Sequence, residues 1–334
     1  MKSSQNILVI RFSSIGDIVL ATSPLNTIRS AFPGAKITFL TLEKFSSLLE
    51  FHPDIDRLIS IPSNMKFREL WSFGTYLKRN GYDLIYDLHN SLRSNIVTFQ
   101  SKSEIFQLQK PRWKRMMLFH FHENFFEPQF SSRSMYHEHL GSIWDGDHLS
   151  IPPTLLRLSK REIDEGKRLL LDLGIFEEYF AIVPGAAWEQ KQWPADKYIE
   201  LLNKIDKPSI LIGSSEDTIC QEIHSGLNKS LDLSGKTSLR ESLSIVANSR
   251  RVIGSDTGLV HAAEALGIEA TMILGPTSTE TGAGVCLSSS NNIETDVWCR
   301  PCSQNGSVPC YRYKQYCMES IEPHEVLKSF TSSL

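Results

Sequence analysis

Short apolar segments recur along this chain, and amphipathic or charged stretches separate them. That alternation reads as repeated βαβ units built around a parallel sheet. In the first half, strands are expected at residues 7–11, 36–42, 57–61, 84–87 and 104–108. A helix predicted over 18–31 stops before Phe32-Pro33-Gly34, and one over 66–80 ends at Gly81, a residue suited to a helix C-terminus. Ile151-Pro152-Pro153 then breaks the pattern, because a residue before proline is biased toward extended backbone. Beyond it the alternation restarts with a charged helix over 159–173 and strands at 180–183, 209–212, 230–233, 251–254 and 271–274. A chain of 334 residues is long for one core, and the usual ~100–200 residues per domain predicts two. The boundary is expected near 150–158, giving domains of 1–154 and 155–334, with the last helix free to pack back on the first.

Composition narrows the function. The 41% apolar and 22% charged content is that of an ordinary globular chain and excludes disordered or fibrous classes. A net charge of −3, from 35 basic and 38 acidic residues, argues against a nucleic-acid binder. No apolar run reaches the ~20 residues of a bilayer-crossing helix. The opening apolar run ends in Arg11, with Asp17 close behind, and lacks the features of a secretory signal. A cytoplasmic chain is therefore expected.

Four loops sit where strands end and helices begin, the edge at which parallel sheets bind ligands. In the first, Arg11-Phe-Ser-Ser-Ile-Gly-Asp17, Gly16 relaxes the backbone and an acid follows. Asp17 serves either as a helix-capping residue or as a general base, and spacing does not separate the two. The second, Val183-Pro-Gly-Ala-Ala-Trp-Glu-Gln-Lys-Gln-Trp-Pro194, places Lys191 near a helix start, where backbone N–H groups favour anions. A Walker pattern is absent, as is the G-x-G-x-x-G of a dinucleotide-binding unit. The third, Gly254-Ser-Asp-Thr-Gly-Leu-Val-His261, joins an aspartate and a histidine to the start of an alanine-rich helix. An aspartate there repels phosphate, so sugar or ribose hydroxyls suit it better. The fourth, Leu274-Gly-Pro-Thr-Ser-Thr-Glu-Thr-Gly282, again ends a strand in hydroxyls and glycines.

Taken together, Ile-Arg-Phe-Ser-Ser-Ile-Gly-Asp-Ile-Val-Leu, the Pro-Gly…Lys-Gln-Trp-Pro segment, and Ser-Asp-Thr-Gly-Leu-Val-His followed by Leu-Gly-Pro-Thr resemble the ADP-heptose:lipopolysaccharide heptosyltransferases, glycosyltransferase family nine. The resemblance spans nearly the whole chain. It implies a GT-B architecture, an α/β fold of two Rossmann-like domains with parallel sheets facing a central cleft. The acceptor site would lie in the first domain and the nucleotide-sugar site in the second. It also implies an inverting, metal-independent transfer of heptose from an ADP-activated donor to a lipid A-core glycolipid. By position, Asp17 would be the general base and Lys191 would meet the donor diphosphate, offsetting leaving-group charge. Asp256, Thr257, Gly258 and His261 would hold the donor's sugar and phosphates, and Ser238 and Leu239 would line the base pocket. Ser14, Gly16, Arg93 and Arg112 would contact the acceptor. Ala186 and Ala187 stand where the family often carries hydroxyls, which weakens side-chain phosphate contacts there.

Two further features stand outside those loops. Residues 110–122 are basic and aromatic, as expected either of a solvated face or of contact with phosphorylated glycolipid at the cytoplasmic face of an inner membrane. Cys299, Cys302, Cys310 and Cys317 have one C-x-x-C pair and would suit a structural zinc, with reduced thiols or a single disulfide as the alternatives.

Overall fold

The computed structural model describes residues 5–331. They form two units, one taking the chain up to Lys110 together with Ser132–Arg157, the other taking Pro111–Ser131 and the chain from Leu158 onward. The chain thus passes for the last time from first to second unit after Arg157. Residues 111–131, read from sequence as part of the first half, group with the second unit instead.

The first unit holds a five-stranded sheet of β1 (Asn6–Ile10), β2 (Lys36–Leu42), β3 (Arg57–Ile61), β4 (Leu84–Asp87) and β5 (Glu104–Gln107), in the order β3-β2-β1-β4-β5. Every pairing is parallel. Ile7, Leu8, Val9 and Ile10 of the central strand are all fully buried, which explains an unbroken apolar run in a strand covered on both faces. On one face Leu8, Ile10, Phe12 and Leu40 pack with Leu70 and Leu77 of the helix Phe67–Asn80.

The second sheet comprises β6 (Phe180–Val183), β7 (Ser209–Leu211), β8 (Ser230–Asp232), β9 (Arg251–Ser255), β10 (Ala270–Ile273) and β11 (Asn291–Ile293). Its order is β11-β10-β9-β6-β7-β8, again all parallel. Successive side chains of β6 alternate between its faces: Phe180 and Ile182 join one core cluster, Ala181 and Val183 the other. The last helix, Pro323–Thr331, which sequence left free to return to the first half, buries Val326 and Phe330 in the second unit's core.

Two local differences have physical causes. The helix expected over 18–31 begins earlier and is two helices, Ile15–Leu20 and Ser23–Ala31. Thr22 folds its hydroxyl back to the Val19 carbonyl at 2.6 Å, and Pro24 sits in the first turn of the second helix, where no backbone donor is needed. The strand β11 escapes a search for apolar runs because its sequence is Asn-Asn-Ile. Among the described residues, no helix is long and apolar enough to cross a membrane.

Close approach of the β6 and β9 backbones explains one glycine. A Cβ on Gly254 would lie 2.4 Å from the Val183 carbonyl oxygen, whereas one on Gly34 meets nothing within 4 Å. Gly254→Ala should therefore destabilise the second unit by about 1–3 kcal/mol in denaturant unfolding. Gly34→Ala should stay within about 0.5 kcal/mol of the parent.

Candidate active site

At the carboxyl end of β1 the buried strand runs straight into a charge. The Arg11 side chain is only 6% exposed and uses all three nitrogens. Nε donates to the Ser13 carbonyl at 2.8 Å, Nη1 to the Leu88 carbonyl at 2.6 Å, and Nη2 pairs with Asp17 Oδ1 at 2.8 Å. Tyr136 lies under the guanidinium, 5.5 Å from its ring centroid, and donates its hydroxyl to the same Oδ1 at 3.3 Å. The other oxygen, Oδ2, accepts the Ser14 N–H at 3.2 Å and its hydroxyl at 3.0 Å. This second set is the reciprocal bonding of a helix N-terminus, with Ser14 the cap of Ile15–Leu20. Asp17 therefore both caps a helix and presents a carboxylate whose side chain is 42% exposed.

Burial alone would raise the Asp17 pKa, but the Arg11 charge and the Ser14 donors outweigh it and hold the carboxyl below its ordinary value. The group is thus ionised at neutral pH and able to accept a proton. Gly16 is buried in the same first turn, and Ser14 is exposed. Arg93 lies over the Phe12 ring at 5.8 Å and donates to the Ser63 carbonyl at 2.6 Å, which brings it beside the same loop. His89 packs edge-on against Phe12 at 5.4 Å, and burial, reinforced by Arg11 and Lys110, pushes its pKa down to about 4. Arg112, expected with this group, is placed by its helix in the second unit.

In the second unit, the loop after β6 has little regular structure beyond a short turn at Glu189–Lys191. Trp193 anchors it. The indole is fully buried, packs edge-on against Tyr198 and donates Nε1 to the Ile321 carbonyl at 3.1 Å. Lys191 Nζ then reaches Asp256 Oδ2 at 2.7 Å, the two side chains being 13% and 11% exposed. The Thr277 hydroxyl donates to Oδ2 at 2.9 Å, and His261 Nε2 stands 3.7 Å from Oδ1. Burial opposes the charge on Asp256, yet Lys191 and His261 outweigh it and hold the carboxyl far below its usual range. The strand ends that carry these residues are tied together by the Ser255 hydroxyl, which donates to the Pro184 carbonyl at 3.0 Å. Thr257 precedes Gly258–Ala265, whose first turn carries His261.

Other expected residues stand apart from this cluster. Ser238 is exposed and its hydroxyl is committed to capping Leu239–Ala247, where it accepts from the Glu241 N–H, and Leu239 is half-buried. Conversely, Arg300 was missed by the sequence reading. It donates to the Gly275 carbonyl at 2.9 Å and the Thr277 carbonyl at 2.8 Å while pairing with Glu294 at 2.6 Å, so it fixes the loop that presents Thr277. Glu264 was missed too. It is buried and receives the N–H groups of Cys286 and Leu287.

The four late cysteines line one cavity as free thiols. Their sulfurs have other neighbours: Arg312 Nη1 is 3.6 Å from Cys299 and Gln315 Nε2 is 3.8 Å from Cys317. Burial raises the Cys302 pKa and pushes Cys317 up to about 11. Among the described residues, no three His, Cys, Asp or Glu side chains are arranged to hold a metal ion. The expected zinc site has no support in this geometry.

A buried ion pair that loses one member leaves an uncompensated charge. Lys191→Met should therefore cost about 3–5 kcal/mol in denaturant unfolding, because Asp256 is left charged and buried. Adding Asp256→Asn should restore part of that loss, so that the double variant is more stable than Lys191→Met alone.

A family model described as glycosyltransferase family 9 (heptosyltransferase) matches residues 70–311. A lipopolysaccharide heptosyltransferase 1 of Pseudomonas aeruginosa is 22% identical over 311 residues, 89% of this chain and 85% of the relative. The solved structure of Escherichia coli ADP-heptose lps heptosyltransferase II aligns over 98% of both chains with a TM-score of 0.74 at 21% identity. A glycosyl transferase family 9 structure from Veillonella parvula aligns over 99% of this chain and 98% of its own, with a TM-score of 0.77 at 17% identity. The α/β fold with two parallel sheets is thus the one that the GT-B resemblance implies. Since the family model covers well over half of the sequence, the chain belongs to glycosyltransferase family 9.

Proposed function

We propose that this chain is an inverting transferase that moves heptose from an ADP-activated donor to a hydroxyl of the lipopolysaccharide inner core, working at the cytoplasmic face of the membrane that carries the acceptor. The observation that carries this reading is Asp17, an ionised and accessible carboxylate in the first turn of the helix that follows a central strand, fixed by Arg11, Ser14 and Tyr136. A base so held is positioned by four donors before any substrate arrives, and orientation of this kind is a large part of a transfer rate. The acceptor side is assigned to the first unit, with Ser14 and Gly16 beside the base and Arg93 over Phe12 of the same loop. The donor side is assigned to the second.

Asp17 takes the proton of the acceptor hydroxyl as that oxygen bonds to the anomeric carbon from the face opposite the nucleotide. The bond from that carbon to the diphosphate oxygen breaks, the electron pair leaves with ADP, and the configuration inverts. Lys191 supplies the cation for the departing diphosphate, a role that divalent metals fill in other transferases. Its pairing with Asp256 also explains why a carboxylate is tolerated beside phosphates. Asp256 answers the lysine charge and, with His261, offers acceptors and donors to sugar hydroxyls, while Thr257 and Gly258 present backbone N–H groups at the helix start. Ser238 and Leu239 are assigned to the adenine side. Transfer of another sugar by the same machinery is the second reading, favoured by Ala186 and Ala187, which supply no hydroxyl to a diphosphate.

Asp17→Asn should bind ADP-heptose in calorimetry with parental affinity and lose at least ~10²-fold in transfer to a deep-truncated glycolipid. Transfer near the parental rate by a folded Asp17→Asn protein defeats the assignment of the base. Preference for UDP- or GDP-sugars in the same assay defeats the assignment of the donor. The pH dependence gives a separate check. The Asp17 carboxyl is depressed, so the active, ionised form persists as pH falls below neutrality and is lost only as pH falls through its lowered pKa. Tyr136→Phe keeps the ring under Arg11 and removes one donor to Oδ1, so the acid limb of kcat/KM should move to higher pH.

A further inference from the structure

Asp256 takes partners from two loops, and one later segment grips both of them. Arg300 holds the Gly275 and Thr277 carbonyls, and between these the Pro276 carbonyl accepts the N–H groups of Cys302 and Ser303 at 3.1 and 3.2 Å. The same segment reaches the loop that carries Lys191 at two points. Gln315 Nε2 donates to the Gln190 carbonyl, and Gly306 lies against the Lys191 side chain itself.

The contact at Gly306 is with the aliphatic stem. A Cβ there would stand 2.5 Å from Lys191 Cγ, 2.8 Å from Cδ and 3.5 Å from Trp188 Cβ. The residue is buried, and its φ of +80° lies in the left-handed region that favours glycine. Ser303 sets the turn that brings it there. That side chain is 2% exposed, and its hydroxyl oxygen accepts the Gly306 N–H at 3.0 Å. The turn is thus tied through Ser303 to the loop that presents Thr277, the other partner of Asp256.

A lysine ammonium is a point charge on a flexible four-carbon stem. Pairing with Asp256 Oδ2 at 2.7 Å restrains only the tip of Lys191. The bare Cα of Gly306 walls the stem at Cγ and Cδ, and so restricts the path by which the ammonium reaches forward. The stem is the softer side of this contact, because the turn is held by backbone hydrogen bonds. A methyl group at 306 therefore displaces the lysine before it displaces the turn.

We propose that Gly306 and Ser303 are positioning residues for Lys191, the turn they form setting where the ammonium stands, an inference that rests on the proposed function only for the task Lys191 performs at the donor diphosphate. A cation misplaced by about 1 Å loses much of its hold on charge that develops in a transition state. The turn therefore acts on transfer through the lysine and touches no substrate.

Trace acetylation of the full chain with acetic anhydride, read lysine by lysine by mass spectrometry, tests the placement without any ligand. Gly306→Ala should raise the rate at Lys191 several-fold and leave Lys197 at its parental rate. Lys197 is the control for general loosening, being 15% exposed in the same unit and held by the Glu319 and Ile321 carbonyls. Ser303→Ala deprives the Gly306 N–H of its acceptor and should act in the same direction, which decides the matter if the Gly306 variant fails to fold. Gln304→Ala, exposed in the same turn, should leave both lysines at parental rates. Parental labelling of Lys191 in the folded variants overturns the proposal, as does an equal rise at Lys191 and Lys197. Transfer kinetics then read the reaction: kcat should fall at least ~tenfold in Gly306→Ala while the acceptor KM stays near the parental value. Selective labelling of Lys191 with a parental kcat supports the placement and defeats instead the diphosphate role given to Lys191.

Discussion

A guanidinium at the end of a buried strand has to be answered on every side, and the way Arg11 is answered organises the first unit's site. Its three nitrogens reach the loop after β1, the loop after β4 and the Asp17 carboxylate. Each partner is thereby fixed relative to the others, and the fold cannot satisfy the arginine without also orienting the Asp17 carboxylate. The price is a carboxylate less basic than usual, a consequence of the same charge that positions it. Ionisation at neutral pH and fixed orientation are gained in exchange for intrinsic proton affinity.

The second unit applies the same rule with the signs reversed. Asp256 is the buried charge that needs answering, and Lys191 and Thr277 from two loops and His261 from the helix after β9 answer it. Parallel pairing of β6, β9 and β10 makes this meeting possible, since it delivers the segments after all three strands to one edge of the sheet. Arg300 then locks the loop after β10 through its carbonyls. In each unit, electrostatic satisfaction and topology together place the buried charges.

Much of this was legible beforehand because parallel strands buried on both faces have unbroken apolar sequences, so the strands and the loops after them stand out. Asp17, Lys191, Asp256 and His261 follow from that framework and from the family resemblance. What remained hidden depended on distance along the chain. Tyr136 lies 119 residues from Asp17, and its bond to the carboxylate leaves no local trace. Arg300 sits among cysteines whose spacing points to a metal instead. Spacing alone does not reveal that Asp17 caps its helix through one oxygen while the other pairs with Arg11. The grouping of residues 111–131 with the second unit was equally invisible, since a short excursion of chain between units carries no compositional mark.

Trp193 has a consequence for how the protein is made. Its indole hydrogen bond ends on the carbonyl of Ile321, and Lys197 adds a second tie to the same atom at 3.0 Å. The loop bearing Lys191 is therefore moored to residues synthesised more than a hundred positions later. On the ribosome, the loop bearing Lys191 therefore lacks this mooring until the residues around Ile321 have emerged.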